Sequence, residues 1–155
     1  SLVKATDGNY ILSGESRSIN GDVSNSKGGG DIWLVKFNAS NGAIIWEKSY
    51  GGTEFDTSRG ITKLENDYYA IAGSARSSDI DVAANYGAND AWLILIDENG
   101  NLEFEKNVGG SDIDFANQVI GTNKNEIIVV GSSFSNDGDI LINNGNKDVL
   151  IFKMK

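Results

Sequence analysis

Three long loops of this chain carry oxygen-bearing side chains at a fixed spacing. Counted from the first such residue of each loop, donors fall at positions 1, 3 and 12: Asn20, Asp22 and Asp31; Asp79, Asp81 and Asp90; Asp137, Asp139 and Asp148. Position 7 adds Ser26, Asn85 or Asn143. Hard cations such as Ca²⁺ take roughly six to eight oxygens from short Asp/Asn loops. The pairs Asp22/Asp31, Asp81/Asp90 and Asp139/Asp148 are therefore candidate metal ligands, and Ca²⁺ is the cofactor they suggest. The match to a twelve-residue calcium loop fails in its middle. Where such a loop turns on a glycine, at position 6, the chain has Asn25, Ala84 and Ile142, preceded by Ser24, Ala83 and Leu141. The competing reading is structural: Asp and Asn side chains cap turns by accepting backbone N–H groups. Asp31, Asp90 and Asp148 each open an apolar strand, where a carboxylate needs several donors to offset its desolvation. A latch onto neighbouring backbone is the expected role of these three.

Other chemistries find little support. The chain has no His and no Cys, which removes the commonest general base, the commonest transition-metal ligand and any disulfide or thiolate site. No nucleophile elbow occurs, and Gly28-Gly29-Gly30 runs into a strand, so no helix N-terminus follows to hold phosphate. Paired carboxylates for glycoside hydrolysis are available on the acidic loops, but they are unspecific. Trp33, Trp92 and Trp46 recur at positions that read as core in preference to a sugar-stacking platform. Arg17 and Arg76 are repeat equivalents, yet Phe134 takes that place in the third copy, so a ligand-reading arginine cluster is not expected. With 13 basic against 22 acidic residues and a net charge of -9, nucleic acid is not an expected partner. No apolar run reaches the length of a membrane span, so membrane insertion is not expected either.

The elements that position the acidic loops repeat every 58 to 59 residues. Ser13-Gly14, Asp22 and Asp31-Ile32-Trp33-Leu34 return as Ala72-Gly73, Asp81 and Asp90-Ala91-Trp92-Leu93, then as Val130-Gly131, Asp139 and Asp148-Val149-Leu150-Ile151. Between them Trp46-Glu47-Lys48, Gly51-Gly52 and Asp56 return as Phe104-Glu105-Lys106, Gly109-Gly110 and Asp114. Such a unit cannot bury its own apolar surface and has to stack on its neighbours. Each copy resolves into four strand-like runs, in the middle copy 58–64, 68–74, 91–97 and 101–108. Asn-Gly pairs at Asn41-Gly42 and Asn99-Gly100 close equivalent hairpins. In the third run Trp92, Ile94 and Ile96 oppose Ala91, Leu93 and Leu95, so that strand is covered on both faces. In the fourth, Leu102, Phe104 and Val108 alternate with Glu103, Glu105 and Asn107, which predicts one wet face.

Doubly buried inner strands beside a half-exposed outer one predict an all-β chain of four-stranded antiparallel β-propeller blades, with a β-sandwich as the alternative. The expected units are 1–52, 53–110 and 111–155, the last without its fourth strand. The pattern opens mid-repeat at Ser1-Leu2-Val3, so the expectation is a segment of one propeller domain. Further blades of a longer chain, or another copy, would complete its ring. In antiparallel blades the second-to-third loops and the fourth-to-first crossings, with Glu54, Asp56, Asp112 and Asp114, share one acidic rim.

Asp7-Gly8-Asn9-Tyr10-Ile11-Leu12-Ser13-Gly14 and Gly131-Ser132-Ser133-Phe134-Ser135-Asn136-Asp137-Gly138-Asp139 resemble the β-propeller repeats of secreted and cell-surface proteins of Bacteroidetes-type bacteria. So do Asp31-Ile32-Trp33-Leu34-Val35-Lys36-Phe37-Asn38 and Trp46-Glu47-Lys48-Ser49-Tyr50-Gly51-Gly52. The middle copy departs from that pattern with Ile80 where its sisters have Gly21 and Gly138, and with Leu95 where they have Lys36 and Lys153. The resemblance implies an extracellular or cell-surface location. It also implies a non-enzymatic binding or spacer module of a larger protein, with a protein or glycan ligand. Part of a propeller-fold enzyme acting on polysaccharide is the alternative.

Overall fold

A computed structural model describes residues 1–122 and 126–155. Among the described residues there are eleven strands: β1 (Leu2–Lys4), β2 (Tyr10–Ser16), β3 (Asp31–Phe37), β4 (Ile44–Tyr50), β5 (Asp56–Lys63), β6 (Tyr69–Ala75), β7 (Asp90–Ile96), β8 (Leu102–Val108), β9 (Asp114–Gly121), β10 (Ile127–Ser133) and β11 (Asp148–Met154). A single 3₁₀ turn, Glu65–Asp67, is the one helical element among the described residues, and none of their helices is long and apolar enough to cross a membrane.

The strands form three antiparallel sheets in chain order, β1-β2-β3-β4, β5-β6-β7-β8 and β9-β10-β11. Local chemistry makes the hairpins. Asn38 Oδ1 accepts from Ser40 N at 2.9 Å and Asn41 N at 3.3 Å, and Asp97 Oδ1 accepts from Asn99 N and Asn101 N at 2.8 Å each. Gly42 and Gly100 then supply the left-handed residue of each turn, at φ 72° and 76°.

The sheets stack face to face around two cores. The first holds Ile11, Ile32 and Leu34 of sheet one against Ile61, Ile71, Trp92, Ile94 and Ile96 of sheet two. The second holds Ala70, Ala72, Ala91 and Leu93 from the opposite face of sheet two against Ala116, Val119, Val129 and Leu150 of sheet three. Sheet two is covered on both sides, as the apolar-both-ways pattern of β7 requires. Trp92 is fully buried, and emptying such a site costs about 3–5 kcal/mol. The first strand of each later sheet makes the junction. β5 lies against β1, β2 and β3, and β9 against β5, β6 and β7. Two parallel bridges, Gly30 to Phe55 and Asn89 to Ile113, lock those first strands to the start of the preceding sheet's third strand.

One face assignment is corrected. Leu102, Phe104 and Val108 do not share a face, because the register shifts by a residue: Ile96 pairs with Leu102 while Leu95 pairs with Phe104. The extra residue, Glu103, flips the parity of the rest of β8. Leu102 therefore packs into the first core, Phe104 turns out at 39% exposure, and Asn107 is buried beside Trp92.

Candidate functional site

The long loops and the crossings between sheets meet on one rim, where the crossing enters each new sheet at a fully buried aspartate. Asp56, the first residue of β5, receives four hydrogen bonds. Its Oδ2 accepts from Gly52 N at 2.8 Å and Ser77 Oγ at 2.7 Å, and its Oδ1 from Arg76 N at 3.1 Å and Ser77 N at 3.2 Å. One carboxylate thus ties the crossing to the loop that leaves β6. Asp114 opens β9 in the same way, its Oδ2 accepting from Gly110 N and Ser135 Oγ at 2.8 Å each. Around both, the loop aspartates take further donors of the crossing: Asp79 binds Thr53 N at 2.9 Å and Thr53 Oγ1 at 2.8 Å, and Asp137 binds Ser111 N at 2.7 Å.

The sequence-predicted ligands separate into two roles. Asp31, Asp90 and Asp148 each accept at Oδ2 from the backbone N–H four residues upstream: Lys27 at 2.7 Å, Tyr86 at 2.8 Å and Asn144 at 2.6 Å. These are the latches expected from their place at a strand mouth. Asp81 and Asp139 turn instead to the crossing that precedes their own sheet. Asp81 Oδ2 accepts from Gly51 N at 3.2 Å and Asp139 Oδ2 from Gly109 N at 3.4 Å, while their own N–H groups return bonds to the same glycines' carbonyls. Asp22, the equivalent residue of sheet one, is exposed. Position 7 braces the loop ends: Asn85 Nδ2 donates to Arg76 O at 2.6 Å, and Asn143 Nδ2 to Ser135 O at 3.1 Å.

The structure therefore assembles carboxylates across the sheets, not within each loop. Asp31, Asp56 and Asp81 surround Gly51, and Asp90, Asp114 and Asp139 surround Gly109. A Cβ on Gly51 would sit 2.7 Å from both Asp31 Oδ1 and Asp56 Oδ2, and one on Gly109 would sit 2.6 Å from Asp90 Oδ1 and 2.7 Å from Asp114 Oδ2. Only glycine fits under these oxygens. Sequence reading noted Gly51-Gly52 with Asp56 and Gly109-Gly110 with Asp114 as repeats, but nothing in the spacing says that they fold back onto the loop aspartates. Among the described residues no group of three or more acidic side chains is arranged to hold a metal ion.

The two junctions differ in charge. At the first, Lys27 Nζ stands 3.4 Å from Asp81 Oδ2. At the second, Tyr86 occupies the register of Lys27, and none of the ion pairs among the described residues involves Asp90, Asp114 or Asp139. Burial, together with the charges of Asp114 and Asp139, pushes the Asp90 carboxyl up to about 6, against the pull of the Tyr86 N–H. The Oδ1 atoms of Asp31, Asp90 and Asp114 are buried without a hydrogen-bond partner.

Aromatic contacts reinforce the seams. The Arg17 guanidinium lies 4.8 Å over Phe55, the residue before β5, and that of Arg59 of β5 lies 5.2 Å over Phe115 of β9. Arg17 is thus a packing residue of the first seam. Trp92 is fully buried and its Nε1 donates to Glu105 Oε2 at 2.9 Å; Trp33 repeats that bond with Glu47 Oε2 at 2.9 Å, and Trp46 packs on the first core. At the opposite rim a cleft of about 410 Å³ opens between sheets two and three, walled largely by Leu64, Tyr68, Leu95, Phe104, Ile127 and Met154. The chain matches no protein-family model and no curated protein.

Proposed function

We propose that this chain is a segment of a β-propeller carried on the outside of a bacterial cell, where it serves as a non-enzymatic binding or spacer module of a larger protein. The observation that carries this reading is the use of the repeated carboxylates. Asp56 spends both oxygens on four donors of its own crossing and loop, and Asp31, Asp90 and Asp148 each hold backbone of their own loop. A carboxylate with both oxygens taken by donors, as in Asp56, is not free to act as acid, base or nucleophile. The stacking geometry supports the propeller form: sheet two offers one face to sheet one and the other to sheet three, and the first strand of each later sheet makes the seam. A glycan or a protein is the class of ligand that suits loops gathered on an exposed rim.

The test is a hydrolysis screen of the purified chain against a panel of bacterial and plant polysaccharides, read by released reducing ends. The reading expects no release above a heat-denatured control. Release that disappears when Glu54 or Asp112 is changed to its amide, with the fold intact, would favour the polysaccharide-acting enzyme instead.

A further inference from the structure

The backbone takes the same course through both junctions between sheets, and the first junction carries a cation that the second lacks among the described residues. On one side stands a residue latched by the aspartate that opens the third strand. Lys27 N–H donates to Asp31 Oδ2 at 2.7 Å, and Tyr86 N–H to Asp90 Oδ2 at 2.8 Å. The glycine that follows is pressed onto the crossing: a Cβ on Gly28 would lie 2.3 Å from Gly52 O, and one on Gly87 2.2 Å from Gly110 O. On the other side stands an aspartate in a reciprocal pair with the crossing. Asp81 N donates to Gly51 O at 3.2 Å and Asp139 N to Gly109 O at 2.9 Å. Their Oδ2 atoms accept from the same glycines' N–H groups at 3.2 Å and 3.4 Å. By every one of these contacts Tyr86 and Asp139 occupy the places of Lys27 and Asp81.

At the first junction the ion pair is made, with Lys27 Nζ 3.4 Å from Asp81 Oδ2. At the second, Tyr86 brings no charge, and none of the ion pairs among the described residues involves Asp139. Gly138 stands there in place of Ile80, at nearly the same left-handed φ of 62° against 58°, so no side chain flanks Asp139 from that position. Asp139 is exposed, and so is Tyr86, at 55%. We propose that the second junction is a seat for a lysine side chain of a partner protein, its ammonium on Asp139 and its methylene stem along the Tyr86 ring. The chemistry of the ligand is read from the chain's own occupant of the sister site, an alkylammonium. An aromatic ring suits such a group twice over, since it takes an aliphatic stem and attracts a cation. Charge complementarity points the same way. Asp137 lies on the same crossing, bonded to Ser111 N, Asp112 follows it, and the whole chain carries -9, so this rim draws a basic segment and repels an acidic one. The inference rests on the reading of the chain as a binding module and narrows its ligand to a protein. The hydrolysis screen tests that reading, whereas the titration below tests this junction alone.

The test is a titration of the isotope-labelled chain with an end-blocked Gly-Lys-Gly peptide, read by backbone amide shifts in NMR, beside the same peptide acetylated on its lysine Nε. The lysine peptide should shift the amides of Gly109, Gly110 and Asp139 saturably, and the acetylated one should not. Asp139→Asn should weaken binding by about threefold to tenfold. Glu103→Gln, the same loss of charge on the exposed outer strand of sheet two, should leave it unchanged. Tyr86→Lys should fill the seat from within, as Lys27 does at the first junction, and abolish the shifts. Lys27→Tyr with Ile80→Gly makes the first junction like the second and should add a saturable seat seen at Gly51 and Asp81. A parent chain without saturable shifts would overturn the proposal, as would equal binding of the acetylated peptide, equal weakening by Glu103→Gln, or binding that survives Tyr86→Lys. So would tighter binding of glucosamine than of the lysine peptide, which would make the ligand a glycan.

Discussion

Asp90 Oδ1 and Asp114 Oδ2 both lie within 2.7 Å of a single point, the place a Cβ on Gly109 would occupy. Two buried carboxylates of adjacent sheets therefore face each other across a bare glycine, with Asp139 on its N–H and no cation paired with any of the three among the described residues. At the first junction Lys27 relieves the same arrangement; at the second Tyr86 does not. Burial and these neighbours hold the Asp90 carboxyl up to about 6, well above its ordinary 3.8. The folded state thus keeps a proton that the unfolded chain gives up. Below pH 4 both states are protonated and the site costs nothing; as pH rises from about 4 to about 6 the unfolded state is favoured, and the full penalty stands above 6. Asp90→Asn keeps an oxygen for the Tyr86 N–H and removes the charge. It should stabilise the chain by about 1–3 kcal/mol at pH 7.5 and by little at pH 4. Comparing variant and parent in urea at both pH values isolates this site from Asp7, which a Lys36 hydrogen bond lowers to about 2 and which acts in the opposite sense. An equal difference at the two pH values would refute the assignment.

Asp56 is the most heavily used side chain of the rim. Asp56→Ala leaves the N–H groups of Gly52, Arg76 and Ser77 and the Ser77 hydroxyl without their acceptor in a dry site. A loss of about 3–5 kcal/mol is expected, a large share of a typical domain's stability. Asp56→Asn should lose less, and Ser77→Ala should add little on top of Asp56→Ala, because both break one network. Urea midpoints with unchanged slopes would measure this, and full additivity of the pair would separate the two residues.

Ile80 sits at φ 58°, where its repeat equivalents Gly21 and Gly138 sit at 72° and 62°. A β-branched residue in the left-handed region is strained by about 1–2 kcal/mol, and at 59% exposure the side chain returns little packing. Ile80→Gly loses part of the gain to the freer unfolded chain. A net stabilisation of about 0.5–1.5 kcal/mol remains, seen as a rise of roughly 1–6 °C in melting temperature. A fall on substitution would show that Ile80 makes contacts that outweigh its backbone.

The repeat made most of the fold legible. The runs read at 58–64, 68–74, 91–97 and 101–108 are β5 to β8 to within two residues, since alternation and turn residues both follow from local chemistry. The two faces of β7 were read correctly for the same reason, Trp92 falling in one core and Leu93 in the other. Parity failed in β8 because the bulge at Glu103 is a property of the paired strands, invisible in one strand's pattern. The acidic loops were read as local units, Asp81 with Asp90 and Asp139 with Asp148. Their actual neighbours come from crossings about thirty residues upstream of the first member of each pair or twenty-four downstream of Asp90. Spacing reports what a loop can reach by itself; it is silent on which backbone is laid over it.

The account's central claim is that the repeated aspartates hold the sheets together through backbone N–H groups and need no ion. Its most direct test is the melting temperature of the chain in a few millimolar Ca²⁺ against the same buffer with chelator, at pH 7.5. A site bound at one hundred times its dissociation constant would stabilise the fold by about 2.7 kcal/mol, a rise of roughly 5–10 °C for a chain of this size. The account predicts the same melting temperature in both buffers. A rise of several degrees in Ca²⁺ that Asp90→Asn or Asp31→Asn abolishes would contradict it and make these carboxylates ligands.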